Sequence, residues 1–167
     1  MLKKEMQSYT RQVHFKNFSM AKHIGIVYWQ TNGAIWELND LLTILNRQQI
    51  KVSIIVYTPA SSIPSDFLVT LNKFIFCKRD LNWYYKPKPK EIQQFIETPF
   101  DVLIDFTRHK LFPIHYLVSL SRASMKVGRN NYADNPYDFV VAISEDKEDT
   151  FYFEQLKYYT NHIGIKG

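Results

Sequence analysis

Cysteine is almost absent from this sequence, since Cys77 is the only one among 167 residues. A single cysteine excludes a disulfide within the chain and any zinc site that needs several cysteines. The neighbours Phe74, Ile75 and Phe76 are apolar, which predicts a buried structural thiol and not a reactive one. The five histidines are scattered and do not follow metal-ligand spacing, so we expect no metal site.

Glycine is also scarce, with five residues in the whole chain. A turn that holds nucleotide phosphates needs several glycines so that the backbone can approach the anion, and the first strand-to-helix turn has only Gly33. Both the dinucleotide-binding motif and the P-loop motif are missing, so we expect no cofactor. The nucleophile elbow and the zinc-protease motif are missing as well, which favours a protein without catalytic activity.

Long hydrophobic runs do not occur. The apolar run at 24–29 is far too short to cross a bilayer, so we expect no membrane span. The stretch from Met1 to Gln7 lacks the apolar core of a signal peptide. Together these features predict a cytoplasmic protein.

Apolar residues are nevertheless abundant, at 46% of the chain, which is typical of a folded domain. Strands and helices alternate throughout, and the last helix presents Tyr152, Leu156, Tyr159 and Ile163 on one face. This alternation predicts an α/β fold of three layers, with a mostly parallel, doubly wound (Rossmann-like) sheet of five to six strands. We favour the strand order 3-2-1-4-5 over the flavodoxin-like order. The predicted strands are 24–29, 52–57, 73–77, 100–106, 125–128 and 139–143.

A basic arm, residues 1–20, precedes a single domain, residues 21–167. Leu2, Met6, Tyr9 and Val13 follow helical spacing, which predicts a basic amphipathic helix over 2–13. Its apolar stripe either packs on the domain or docks on a partner protein.

Positive charge is concentrated in two segments of a chain whose net charge is +5. Residues 1–22 carry five lysines and arginines against one acid, and residues 73–90 carry six against one. Aromatic side chains are interleaved with the second cluster, and that mixture suits unpaired RNA bases and phosphates. We therefore expect an anionic partner, either structured RNA or a ribonucleoprotein. In the alternative interpretation the aromatic residues of the second cluster cap the sheet and its lysines lie in water. The candidate nucleic-acid-binding residues are Lys3, Lys4, Arg11, Lys16, Lys78, Arg79, Trp83, Tyr84, Lys86 and Lys88.

Polar residues at the ends of the fourth and fifth predicted strands suggest a second hypothesis. Ligands of open α/β sheets bind beyond the carboxyl ends of the strands, so these residues are candidates for binding a phosphorylated metabolite or another nucleotide-like molecule. In the alternative interpretation Asp105 bonds nearby backbone, His115 is a hydrogen-bonded core residue and both arginines lie in solvent. The candidate ligand-binding residues are Thr107, Arg108, His109, Arg129 and Asn130.

Four segments, at 80–87, 100–105, 112–116 and 126–129, follow one another along the chain. Together they resemble a small protein family of unknown function from Bacteroidota, over most of the chain. The stretch from Phe100 to Arg129 is also distantly similar to the amino-terminal half of heptosyltransferase-like glycosyltransferases, which implies a Rossmann-like fold. Those enzymes keep their nucleotide-sugar site mainly in a carboxyl-terminal half for which this chain has no room.

Overall fold

Strands and helices alternate along the chain in a computed structural model that describes residues 2–8, 10–30, 36–65 and 73–163. The predicted turn at Gly33 and the stripe residue Tyr9 lie outside the described residues. The strands are β1 (His23–Trp29), β2 (Lys51–Thr58), β3 (Lys73–Cys77), β4 (Val102–Asp105), β5 (Met125–Gly128) and β6 (Phe139–Val140). The helices are α1 (Leu2–Ser8), α2 (Trp36–Arg47), α3 (Lys90–Glu97), α4 (Phe112–Leu120) and α5 (Asp149–Ile163), with short 3-10 turns at Phe18–Met20 and Lys78–Asp80.

All six strands form one parallel sheet in the order β3-β2-β1-β4-β5-β6. The central strand β1 places Ile26 opposite Ile54 of β2 on one side and Ile104 of β4 on the other. This order confirms the Rossmann-like prediction and adds β6 at one edge. The order reverses between β1 and β4, which is the position where doubly wound sheets open a crevice at their carboxyl ends.

Two apolar clusters cover the two faces of the sheet. On one face the strands pack against Leu41 and Leu45 of α2 and Leu156 of α5. On the other face they pack against α3 and α4, through residues such as Ile96 and Leu117. Cys77 is completely buried at the end of β3, as predicted. The result is the predicted three-layer α/β arrangement.

The predicted helix over 2–13 is wrong in length, because α1 ends at Ser8. The following segment has no regular secondary structure and bonds to the residue just before β5: the His14 amide donates to the Ser124 carbonyl at 3.0 Å. Arg11 donates to the Ala123 carbonyl at 3.1 Å. The backbone bond of His14 and the side-chain bond of Arg11 compete with helix continuation, and Val13 is half exposed. Leu2 packs against the α3–α4 cluster, so part of the stripe is covered by the domain itself.

The buried face of α5 and the end of β6 also differ from the predictions. In α5 the buried face consists of Tyr152, Phe153, Leu156 and Thr160, whereas Tyr159 is 43% exposed, so its predicted place on the packed face is wrong. The side chain of Ile163 lies outside the described residues. Strand β6 ends at Val140, opposite the last residue of β5, Gly128, and the Val141 amide still donates to the Gly128 carbonyl at 3.0 Å.

Gly128 lets an aromatic ring lie directly on β5. A Cβ atom at this position would overlap the ring of Tyr137. We expect Gly128→Ala to lower the free energy of unfolding by ~2–3 kcal/mol in urea denaturation, because a well-packed core cannot absorb the added atom. The double variant Gly128→Ala/Tyr137→Ala should be no less stable than Tyr137→Ala alone. A further loss in the double variant would show that the clash is not with Tyr137.

Candidate functional site

The segment 81–87, here called the Trp83 loop, is a closed turn on the surface. Leu81 and Pro87 form an antiparallel bridge at its base. The Asn82 amide donates to the Lys86 carbonyl at 2.9 Å, and the Tyr85 amide donates to the Asn82 carbonyl at 3.0 Å. Pro87 is the last residue of this turn, Pro89 follows it, and α3 begins directly after Pro89.

Asn82 organises the interior of the Trp83 loop. Its side-chain oxygen accepts the backbone amides of Tyr84 at 3.2 Å and of Lys86 at 2.8 Å. Tyr85 adopts a φ of 66°, a left-handed conformation that is uncommon for a residue with a side chain. The indole of Trp83 is 89% exposed at the tip. The loop therefore has a fixed backbone and a large aromatic ring in solvent.

Four cations surround the Trp83 loop without a carboxylate partner among the described ion pairs. Lys78 and Arg79 precede the loop, Lys88 and Lys90 follow it, and all four are exposed. The nearby acid Asp80 accepts the Cys77 backbone amide at 2.8 Å. Positive charge at this surface is thus available to an anionic partner.

Lys86 has a structural role instead. Its ammonium group donates to Glu5 of α1 at 3.0 Å, and Tyr116 of α4 donates its hydroxyl to the same carboxylate at 2.6 Å. The hydrogen bond with Tyr116 and the pairing with Glu5 raise the pKa of Lys86 above its ordinary value. This group of three side chains joins α1, the Trp83 loop and α4.

The predicted basic arm is only partly free. Lys3 and Lys4 are exposed on α1. Arg11 pairs with Asp138, and Lys16 donates to Asp101 at 2.7 Å. Of the predicted cations in the arm, two are therefore engaged in holding the arm to the domain.

Asp149, the first residue of α5, gathers the polar residues at the carboxyl ends of the strands. Its carboxylate accepts from Arg129 at 2.6 Å, from Arg108 at 3.3 Å and from the Tyr28 hydroxyl at 2.8 Å. Arg129 is 2% exposed, so the interpretation that places both arginines in solvent is wrong for this residue. A carboxylate at a helix amino terminus is also favoured by the helix dipole.

The other strand-end candidates lie close by, and they too form bonds within the protein. Asn130 donates to the Arg108 carbonyl at 2.6 Å, and His109 lies 3.5 Å from the Glu145 carboxylate. The buried Thr107 donates its amide to Asp105 at 2.8 Å. The structure brings all five predicted residues to one edge of the sheet, where their polar groups hold the 144–149 segment and the end of β4.

A chain of four side chains leads from the buried end of β4 toward α4. Tyr137 donates its hydroxyl to Asp105 at 2.8 Å. Tyr132 hydrogen-bonds Tyr137, and its hydroxyl lies 3.1 Å from Nδ1 of His115. Burial raises the pKa of Asp105 to about 6 and lowers the pKa of His115. Asp105 and His115 stand out in the sequence, whereas both tyrosines were missed because no local spacing connects them.

Two buried donors at the end of β1 have no hydrogen-bond partner in the described part of the chain. They are Nε1 of Trp29 and Nε2 of Gln30. Gln30 is 5% exposed, and the ring of Trp29 lies edge-on to His109 with centroids 5.5 Å apart. Both donors lie where the strand order reverses. Nothing in the sequence marks them, since each follows an ordinary apolar run.

The chain belongs to a family of unknown function, DUF6913, whose model matches residues 1–161. No curated protein and no solved structure matches the chain. The similarity to heptosyltransferase-like glycosyltransferases stays a prediction. Within the described ranges, no helix has the length and apolar character needed to cross a bilayer, and no three His, Cys, Asp or Glu side chains are grouped as metal ligands would be.

Proposed function

We propose that this member of the DUF6913 family is a cytoplasmic binding module that contacts RNA through the Trp83 loop. The exposed indole stacks on an unpaired base, and the cations beside the loop contact the flanking phosphates. The observation that carries the proposal is the 89% exposure of Trp83 on a turn whose backbone is fixed by Asn82.

A fixed loop backbone supports recognition because little backbone conformational entropy is lost when the loop binds. Surface tryptophans in contact with partners are among the residues that contribute most to binding energy. The four cations at 78, 79, 88 and 90, which have no carboxylate among the described ion pairs, select for an anionic partner. Nucleic acid combines both features, since each nucleotide offers a planar base and a phosphate.

Fewer observations support a ligand site at the carboxyl ends of the strands. Arg108 and Arg129 already share Asp149, which reduces the charge that they offer to an anion. The donors of Trp29 and Gln30, which have no partner among the described residues, favour a ligand here, because buried donors without an acceptor are costly. A phosphorylated metabolite at this edge is therefore a second candidate, and it predicts a raised melting temperature on ligand addition that Gln30→Ala abolishes.

Trp83→Ala tests the RNA-binding proposal. Base stacking on an aromatic side chain contributes ~1–3 kcal/mol, so we expect the affinity for a fluorescently labelled unstructured RNA to fall about 5- to 150-fold. The assay is fluorescence anisotropy at low salt, with the full chain. The variant should keep the thermal stability of the parent, because the removed ring lies almost wholly in solvent.

The matched control is Tyr158→Ala, which removes an aromatic side chain that is 56% exposed on α5. Its RNA affinity should equal that of the parent. Equal affinities for the parent and Trp83→Ala would show that the Trp83 loop is not the contact surface. Equal losses in the two variants would indicate nonspecific adsorption to aromatic groups.

A further inference from the structure

A cavity of about 610 Å³ lies between α1, α4 and the turn at 134–136. Most of its lining surface is apolar, from residues such as Leu2, Met6, Phe112 and Tyr116, and the charged residues Lys3, Lys110 and Asp134 also line it. This volume falls in the range of small-molecule sites, which combine apolar walls with a few polar groups. The cavity does not include the Trp83 indole or the strand-end candidates.

A second cavity of about 160 Å³ adjoins the first, and the two share Met6, Ser119 and Pro136 in their walls. The smaller cavity differs in chemistry, because cations and hydroxyl groups line it. Those residues are Arg11, Arg122 and Lys126 with Thr10, Ser119 and Ser121. A partly open, mainly apolar cavity therefore lies against a small basic one.

Lys126 is the most deeply buried cation of the smaller cavity, at 2% exposed. Its ammonium group donates to the Ser119 carbonyl at 2.9 Å and has no carboxylate partner among the described ion pairs. The nearby acid Asp138 is engaged by Arg11 and by the backbone amide of Lys126. Lys126 thus has N–H donors to offer to a ligand.

Ser119 supplies an independent sign of a missing partner. The residue is 8% exposed, and its hydroxyl has no hydrogen-bond partner in the described part of the chain. It lies in the wall of both cavities. Buried hydroxyl groups are normally bonded, so one without a partner at this junction marks a position for a ligand oxygen.

We propose that the two cavities form one binding site for an amphipathic carboxylate. The apolar body occupies the larger cavity, and the carboxylate accepts from Lys126 and Ser119 in the smaller one. A carboxylate suits this cavity, since Arg11 is already paired with Asp138 while the deeply buried Lys126 has no acid among its described partners. This ligand is distinct from RNA, and the site is independent of the proposed function.

Isothermal titration of the full chain with octanoate, 1-octanol and acetate tests this site. Octanoate should bind, whereas octanol, which lacks the charge, and acetate, which lacks the apolar body, should each bind at least tenfold more weakly. Lys126→Met should reduce octanoate affinity at least tenfold, because a charged hydrogen bond is removed. Ser119→Ala should reduce it about threefold, and its small change tests the site without disturbing the fold.

Lys73→Met is the matched control. Lys73 is another buried lysine, 8% exposed, and it lines a groove beside α3 that shares no residue with the two cavities. The control should bind octanoate like the parent. The proposal is overturned if octanoate fails to bind, if octanol or acetate binds as well as octanoate, or if Lys126→Met and Ser119→Ala leave the affinity unchanged. RNA affinity is measured separately, so neither proposal depends on the outcome of the other.

Discussion

Asp149→Ala should lower the free energy of unfolding by ~3–5 kcal/mol, because it leaves buried charge without its counterion. Arg129 is 2% exposed and donates to Asp149 at 2.6 Å, while Arg108 shares the same carboxylate oxygen at 3.3 Å. The substitution also leaves the hydroxyl of Tyr28 without this acceptor. Urea denaturation followed by circular dichroism measures the effect.

The double variant Asp149→Ala/Arg129→Met distinguishes an unpaired charge from reduced packing. Removing both members of a buried ion pair costs less than removing one, so the double variant should be more stable than Asp149→Ala. Glu148→Ala, at the exposed neighbouring position, should leave the unfolding midpoint unchanged. A double variant that is less stable than Asp149→Ala would show that Arg129 stabilises the fold without the carboxylate.

Lys126→Met should raise the free energy of unfolding by ~3 kcal/mol at pH 7, after the hydrogen bond to Ser119 is deducted. Burial, with a smaller contribution from Arg11, lowers the pKa of Lys126 from its ordinary value of 10.5 to about 7. The folded state thus opposes a charge that the unfolded chain carries freely. Methionine fills a similar volume without that cost. Lys51→Met, at an exposed position, is the control and should change stability little.

The lowered pKa of Lys126 also determines how its contribution to the free energy of unfolding changes with pH. Between about pH 7 and pH 10.5 the unfolded chain binds more protons at this side chain than the folded chain does. The contribution of Lys126 to stability therefore rises with pH across that window and is constant below it. We expect Lys126→Met to remove this rise in a denaturation series. An unchanged pH profile in the variant would contradict the lowered pKa.

The layers and the strand order could be predicted because they depend on local patterns. Runs such as 24–29 and 52–57 have the length and β-branched content of buried parallel strands, and the segments between them follow helical spacing. The burial of Cys77 follows from the same apolar pattern. Connection rules then select the order around β1 from few alternatives.

The ion pairs that hold the amino-terminal arm to the domain could not be predicted, because their members lie far apart in the sequence. Lys86 and Glu5 are separated by 81 positions, and Arg11 and Asp138 by 127. Charge clusters are visible in the sequence, but sequence alone does not show which cations are already paired. The predicted length of α1 was wrong for a related reason. The contact between His14 and Ser124, which are distant in sequence, outweighs the helical spacing of the apolar residues in the arm.

One candidate site could be predicted from the sequence, and the other could not. Trp83 stands out in sequence because aromatic and basic residues are adjacent there, and the structure adds its exposure and the bonds of Asn82. Lys126 and Ser119 attract no attention in sequence, because a lysine in a short strand and a serine in an apolar helix are ordinary. Their burial and missing partners become visible only when α1, α4 and β5 are placed together.

The salt dependence of RNA binding tests the central claim most directly. For the parent chain, the logarithm of the association constant should fall linearly with the logarithm of salt concentration. Neutralising Lys78, Arg79 and Lys88 together by glutamine should reduce that slope by about 2, or ~0.7 for each single-strand phosphate that the protein no longer neutralises, while Lys51→Gln leaves it unchanged. A parent chain that binds no RNA at low salt, or a slope that the triple variant does not alter, would contradict RNA binding by the Trp83 loop.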